Sequence, residues 1–214
     1  MTTDPAPQLS GDFDIHLTVR PGRAAGDRLA GFAARYGLKF TDIRLARGAV
    51  PAQPMVTGTG SGTLADQRTR AAGWAEALRR EGFEVVRTKI EAAPWNTGVP
   101  AGDDEARRDP AGRYFEHHLK LLLDPAELDG LAAAVEPYGA HLSRNARRER
   151  PDGRHERFVT QRCHGVGQRT ARHRLAALVE AVRARGHEIV SVEEEYVVAD
   201  DNAAIDAGWI GGGA

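Results

Sequence analysis

Two histidines sit 102 residues apart in matching surroundings, Asp14-Ile15-His16-Leu17-Thr18-Val19 and Glu116-His117-His118-Leu119-Lys120-Leu121. Two glutamates, Glu91 and Glu195, are separated by 104. Imidazole exchanges a proton near neutral pH and also ligates metals. Carboxylates serve both chemistries, and lysine or arginine holds anions. Two of the chain's three lysines, Lys89 and Lys120, share these segments. Each histidine is followed two places on by a polar residue, Thr18 or Lys120. In a strand, side chains at i and i+2 share a face, so each pair can grip one group.

The matches extend along the chain. Tyr36-Gly37 and Tyr138-Gly139 keep the offset of 102, Val56-Thr57 and Val159-Thr160 have 103, and Gly82, Glu84, Val86 and Glu91 repeat at 104 as Gly186, Glu188, Val190 and Glu195. An offset drifting one way in single steps is what two one-residue indels leave in a tandem duplication, and such self-similarity governs the rest of the reading. Each repeat predicts the same order. Phe13–Val19 alternates as a strand. Leu29, Phe32, Ala33 and Tyr36 make the stripe of a helix near 27–36, which Gly37 stops. Leu38–Leu45 and Gln53–Thr59 read as strands. Ala71, Trp74, Ala75 and Leu78 stripe a helix near 64–81, and Phe83–Glu91 is a fourth strand. The second half predicts strands at 114–122, 140–147, 156–164 and 187–198, with helices at 125–138 and 168–185.

Strand–helix–strand–strand–helix–strand is the ferredoxin-like split βαβ unit. The expectation is an α+β protein of two such repeats, 13–97 and 114–199. A polar linker at 98–113 joins them and a C-terminal tail follows at 200–214. Right-handed crossovers are expected to set the first and third strands of each unit parallel at the centre, with both helices on one face. The polar alternate residues then lie on the open face: His16, Thr18, Thr57, Thr59, Arg87, Lys89 and Glu91, then Glu116, His118, Lys120, Thr160, Arg162, His164, Ser191, Glu193 and Glu195. Two sheets meeting by these faces would enclose a polar cleft about a pseudo-twofold axis. Trp209 suggests that the tail packs onto something.

Composition bounds the function. The chain has 214 residues, a net charge of −1, 41% hydrophobic and 28% charged residues, which is the profile of an ordinary globular chain. No apolar run reaches the ~18 residues of a membrane helix. No secretory leader is visible, so a cytoplasmic protein is expected. One cysteine, Cys163, excludes an intrachain disulfide framework, and its parity predicts a core thiol. Twenty-six of the 29 basic residues are arginine, the codon bias of a GC-rich bacterial genome. Arg144, Arg147, Arg148, Arg150, Arg154 and Arg157 read as a solvated hairpin. Without interleaved aromatics they make no platform for single-stranded nucleic acid.

His16-Leu17-Thr18-Val19 resembles the histidine–apolar–threonine motif of the 2H phosphoesterases, two-lobed enzymes with one such motif per lobe. The resemblance implies His16 and His118 as acid and base on a phosphodiester, with Thr18 on the phosphate. The second motif departs from the pattern, with Lys120 in the hydroxyl position. The first functional expectation is thus an enzyme acting on a small phosphorylated or otherwise anionic substrate. In it His16 and His118 are the catalytic pair, Thr18, Lys89, Lys120 and Arg162 hold the anion, and no cofactor is required. The second is a metal-dependent enzyme whose divalent ion (zinc, iron, manganese or nickel) is held by His16, Glu91, His118 and Glu195. The third is a non-catalytic protein that binds a small ligand in the cleft. Thr57-Gly58-Thr59-Gly60-Ser61-Gly62 is expected as a loop between strand and helix, near Arg20, and it lacks the lysine of a Walker loop.

Overall fold

The computed structural model describes residues 8–22, 25–146 and 153–209. The first half runs β1 (Ser10–Val19), α1 (Ala25–Tyr36), β2 (Lys39–Leu45), β3 (Ala52–Thr63), α2 (Leu64–Arg80) and β4 (Val85–Ala92). After a short α3 (Asp103–Ala106) the order recurs as β5 (Tyr114–Leu123), α4 (Leu128–Val135), β6 (Ala140–Asn145), β7 (His155–His164), α5 (Gln168–Arg183) and β8 (Glu188–Asp200). Where one helix was expected at 125–138, α4 is flanked by 3-10 turns at Pro125–Glu127 and Glu136–Tyr138. Pro137 lacks the N–H that an α-helix interior needs.

All strand pairs are antiparallel. This corrects the parallel central pair expected for each unit: β2 runs parallel in space to β1, and the β2–β3 hairpin then reverses direction. It also replaces two sheets facing a cleft with one closed barrel, in the order β1-β3-β2-β6-β7-β5-β8-β4. The physical reason is the unsatisfied backbone of edge strands. β2 pairs with β6 through Ile43–Leu45, and β4 with β8 through Lys89–Ala92, so the former open faces become the interior. An eight-stranded barrel is just wide enough for side chains to fill.

The helices cover the outside. Leu17, Val19 and Val56 pack with Leu29, Phe32 and Leu78 of α1 and α2. Leu119, Leu121 and Val159 pack with Leu131, Val135, Leu178 and Val182 of α4 and α5. A third cluster, including Phe13, Ile15, Ile90, Phe115, Ala171 and Tyr196, spans both halves. Buried Cys163 belongs to it as a free thiol. The expected linker is not a loose tether: Asp103 of α3 accepts hydrogen bonds from the Gly167 N–H and the Thr170 hydroxyl.

The glycine-rich 57–62 stretch is strand, not loop: it is the second half of β3, and Gly58 and Gly60 pair with Ile15 and Phe13. Glycine is needed at 58 because a Cβ there would lie 2.2 Å from Trp74 Cη2. This stretch lies beside the start of β1, whereas Arg20 follows the other end and pairs with Glu84. No phosphate site joins the two. β8 extends to Asp200, and the tail beyond it closes one end of the barrel. Ile205, Asp206 and Trp209 are buried there, and the Trp209 indole N–H donates to the Leu142 carbonyl at 3.0 Å. Residues 147–152, with three of the six hairpin arginines (Arg147, Arg148 and Arg150), lie outside the described residues. No described helix is long and apolar enough to cross a membrane.

Candidate functional site

Strand alternation turns Asp14, His16 and Thr18 of β1 inward, because Ile15, Leu17 and Val19 are fully buried under the helices. The same parity turns Glu116 and His118 of β5 inward. The barrel interior therefore holds two copies of one arrangement. His16 Nδ1 is 2.8 Å from Thr57 Oγ1, and its Nε2 is 2.5 Å from Glu91 Oε2. His118 Nδ1 is 3.0 Å from Thr160 Oγ1, and its Nε2 is 3.3 Å from Glu195 Oε2. Each histidine faces its threonine directly across the ladder. Each reaches its glutamate diagonally, past Lys89 in one half and Glu193 in the other. Without metal each Nε2 donates to the carboxylates. With Nδ1–H donated to the threonine hydroxyl, a cation that displaced the Nε2 proton would meet a ligating lone pair, as partners of metal-ligating histidines arrange.

The copies meet. Donor atoms of Glu91, His118 and Glu195 lie within 4.8 Å of one another, and so do those of Asp14, His16 and Glu195. The four residues expected to hold one ion are thus divided between two triads that share Glu195, with the histidines apart and Asp14 added beside His16. The signal for Asp14 was present in the sequence. It is two residues before His16, as Glu116 is two before His118.

The expected anion ligands fare differently. Lys89 bonds Glu116 at 2.6 Å and also pairs with Glu91. Arg162 holds Glu116 at 2.5 Å and Asp206 at 2.7 Å. Both cations line the chamber, but carboxylates already neutralise them. Thr18 lines the chamber too, beside Arg87. Lys120 does not line it: its ammonium is drawn to Glu156 at 3.1 Å. Arg87, absent from the expected ligands, grips Asp200 at 2.5 Å and Asp206 at 3.0 Å.

These pairings set the protonation. Burial opposes the charge on Lys89, but Glu116 and Glu91 hold its proton and raise it above the lysine range. Burial likewise opposes ionised Glu116 and Glu91. Arg162 and Lys89 overcome this for Glu116, Lys89 and His16 for Glu91, and both are held below the usual carboxylate range. His118 is disfavoured as a cation by burial, yet hydrogen bonds to Glu116 and Glu195 push it up to about 10. Glu195 is pushed up by burial and by the Glu91 charge, despite His118. Asp14 is pushed up by burial, with Glu91 and Glu193 adding to it against His16 and Lys39. Neither Asp14 nor Glu193 forms an ion pair with any described residue.

The inner chamber, about 190 Å³, shares Asp14, Lys39, Glu91, Glu193 and Glu195 with an outer vestibule of about 780 Å³. The vestibule opens where β8, paired with β4 only from Tyr196 onward, runs past the β4 end. Asp12 and Glu194 add to its acidity, Lys39 and Arg172 oppose it, and Trp95 is 75% exposed at its rim. The mouth is acidic, and the far end is closed by Asp206 and Trp209.

No protein family matches the chain, and no curated protein does. In structure it is similar to the small subunit of acetolactate synthase from Thermotoga maritima, at 13% identity over 88% of this chain and 95% of that one, with a TM-score of 0.30. It is also similar to the regulatory subunit of aspartate kinase from Thermus thermophilus, at 15% over 82% and 95%, TM-score 0.33. A mutant chlorite dismutase from Candidatus Nitrospira defluvii gives 8% over 89% and 92%, TM-score 0.29. At these scores the likenesses carry no argument about the site. The class defined here is structural: an α+β protein built on a large antiparallel sheet, its element order repeated in two halves.

Proposed function

We propose that this chain is a tandem duplication of a ferredoxin-like unit that binds a divalent transition metal inside its barrel and uses it on a small molecule entering through the acidic mouth. The observation that carries this reading is the convergence of Glu91, His118 and Glu195, with donor atoms within 4.8 Å of one another. Two carboxylates and an imidazole suit zinc, manganese or iron, and three protein ligands leave a position open for water or substrate. Thr160 orients His118. His16, bonded to Glu91, orients that carboxylate. At such a centre the metal would lower the pKa of a bound water or polarise a substrate oxygen.

The charge balance favours this reading over acid–base catalysis on an anion. Lys89 and Arg162 are spent on Glu116, while Asp14, Glu193 and Glu195 make the route to the histidines repulsive to phosphate. The test is elemental analysis of purified protein after dialysis against zinc or manganese, beside a His118→Gln variant. Bound metal that the variant loses in part or whole is expected. Protein that binds neither ion would overturn the reading and return the acid–base pair His16 and His118 to first place.

A further inference from the structure

Resting on the metal reading above, we infer that the chamber takes two divalent cations, with the Glu195 carboxylate bridging them. Two donor sets share that one side chain: Glu91, His118 and Glu195 form the first, Asp14, His16 and Glu195 the second. Each set contains one imidazole and two carboxylates. Each imidazole has its own threonine, Thr160 for His118 and Thr57 for His16, to fix the tautomer. The second set therefore repeats both the ligands and the orienting groups of the first. A bridging carboxylate, one oxygen to each ion, suits a pair about 3.5–4 Å apart, the separation at which two metals clamp the attacking and leaving oxygens of one displacement.

Charge points the same way. Glu116 is matched by Lys89 and Arg162, and Glu91 by Lys89. The Asp14 carboxylate makes no hydrogen bond or ion pair with any described residue, and that of Glu195 pairs only with His118. A partly buried carboxylate without a partner, as at Asp14, is costly, and a second cation between Asp14, His16 and Glu195 removes that cost. His16 now bonds Glu91 through Nε2. Binding the second ion exchanges that contact for a metal bond and frees the Glu91 oxygen for the first ion.

The experiment is a zinc titration of the full chain, read calorimetrically and by elemental analysis, for the wild type and an Asp14→Asn variant. Manganese-loaded wild type is measured in parallel by electron paramagnetic resonance, which needs no variant to fold. Two zinc ions per wild-type chain, one in Asp14→Asn, and a spin-coupled manganese pair are expected. One ion in both proteins, with an uncoupled manganese spectrum, overturns the two-ion inference and leaves the single-metal reading standing. No ion in either protein overturns both. Two ions in both proteins would remove Asp14 from the site and overturn the assignment.

Discussion

The imidazole of His16 lies 2.5 Å from the Glu91 carboxylate, whereas its counterpart His118 is 3.3 Å from Glu195. The pairs are related by the internal repeat but differ in charge environment. Glu91 sits beside Lys89, and the position equivalent to Lys89 is Glu193. One glutamate is therefore electrostatically satisfied and the other is not.

Metal-free protein should register this difference when each glutamate is replaced by glutamine. Glu91→Gln removes a buried carboxylate shared by Lys89 and His16, and breaking such a pair costs about 3–5 kcal/mol. Glu195→Gln weakens the contact with His118 but also relieves repulsion from Glu91, and is expected to cost less than Glu91→Gln. Both variants should lose metal. Urea unfolding in the presence of a chelator checks the order, and a Glu195→Gln protein less stable than Glu91→Gln contradicts it.

Two glycines make an opposed pair. A Cβ at Gly58 would meet Trp74 at 2.2 Å and Leu38 at 2.7 Å, so Gly58→Ala forces a packed ring aside and should cost about 1–3 kcal/mol. Gly73 lies on the exposed side of α2 with nothing within 4 Å of such a Cβ. Gly73→Ala should therefore stabilise by about 0.5–1 kcal/mol, through helix propensity and a less flexible unfolded chain. Urea midpoints for both variants test the pair, and shifts of the same sign would show the Trp74 contact to be slack.

The element order was legible because the duplication presents each pattern twice, and because strand parity is a local property. Ile15 and Leu17 must go under the helices, so Asp14, His16 and Thr18 must go opposite. Closure of the barrel was not legible, since it depends on edges meeting: the Ile43–Leu45 and Lys89–Ala92 contacts are between segments roughly 100 residues apart. The glycines of 57–62 misled for a related reason. They make room for Trp74 and Gln67 of α2 packed against the strand, rather than serving a turn. The neutralisation of Lys89 and Arg162 was hidden too, because it needs Glu116 and Asp206 to arrive from elsewhere in the chain.

Asp206 gives the fold a dependence on pH at its closed end. Its carboxylate accepts from Arg87 at 3.0 Å, Arg162 at 2.7 Å and Gln53 at 2.8 Å. Burial alone would raise its pKa, but the two guanidinium groups and Gln53 win, and it is held below the usual aspartate value of 3.8. A carboxyl group whose folded pKa is depressed stabilises the fold fully above its unfolded pKa, and that contribution disappears as pH falls through the folded value. Asp206→Asn should therefore cost about 1.5–3 kcal/mol near pH 7, the range for hydrogen bonds to charged groups. The gap from wild type should stay level down to about pH 4, then narrow with further acidification. Urea midpoints for both proteins across this range decide the matter. A gap that stays constant below pH 4 would mean that the Asp206 charge does not hold the C-terminal segment against Arg87 and Arg162.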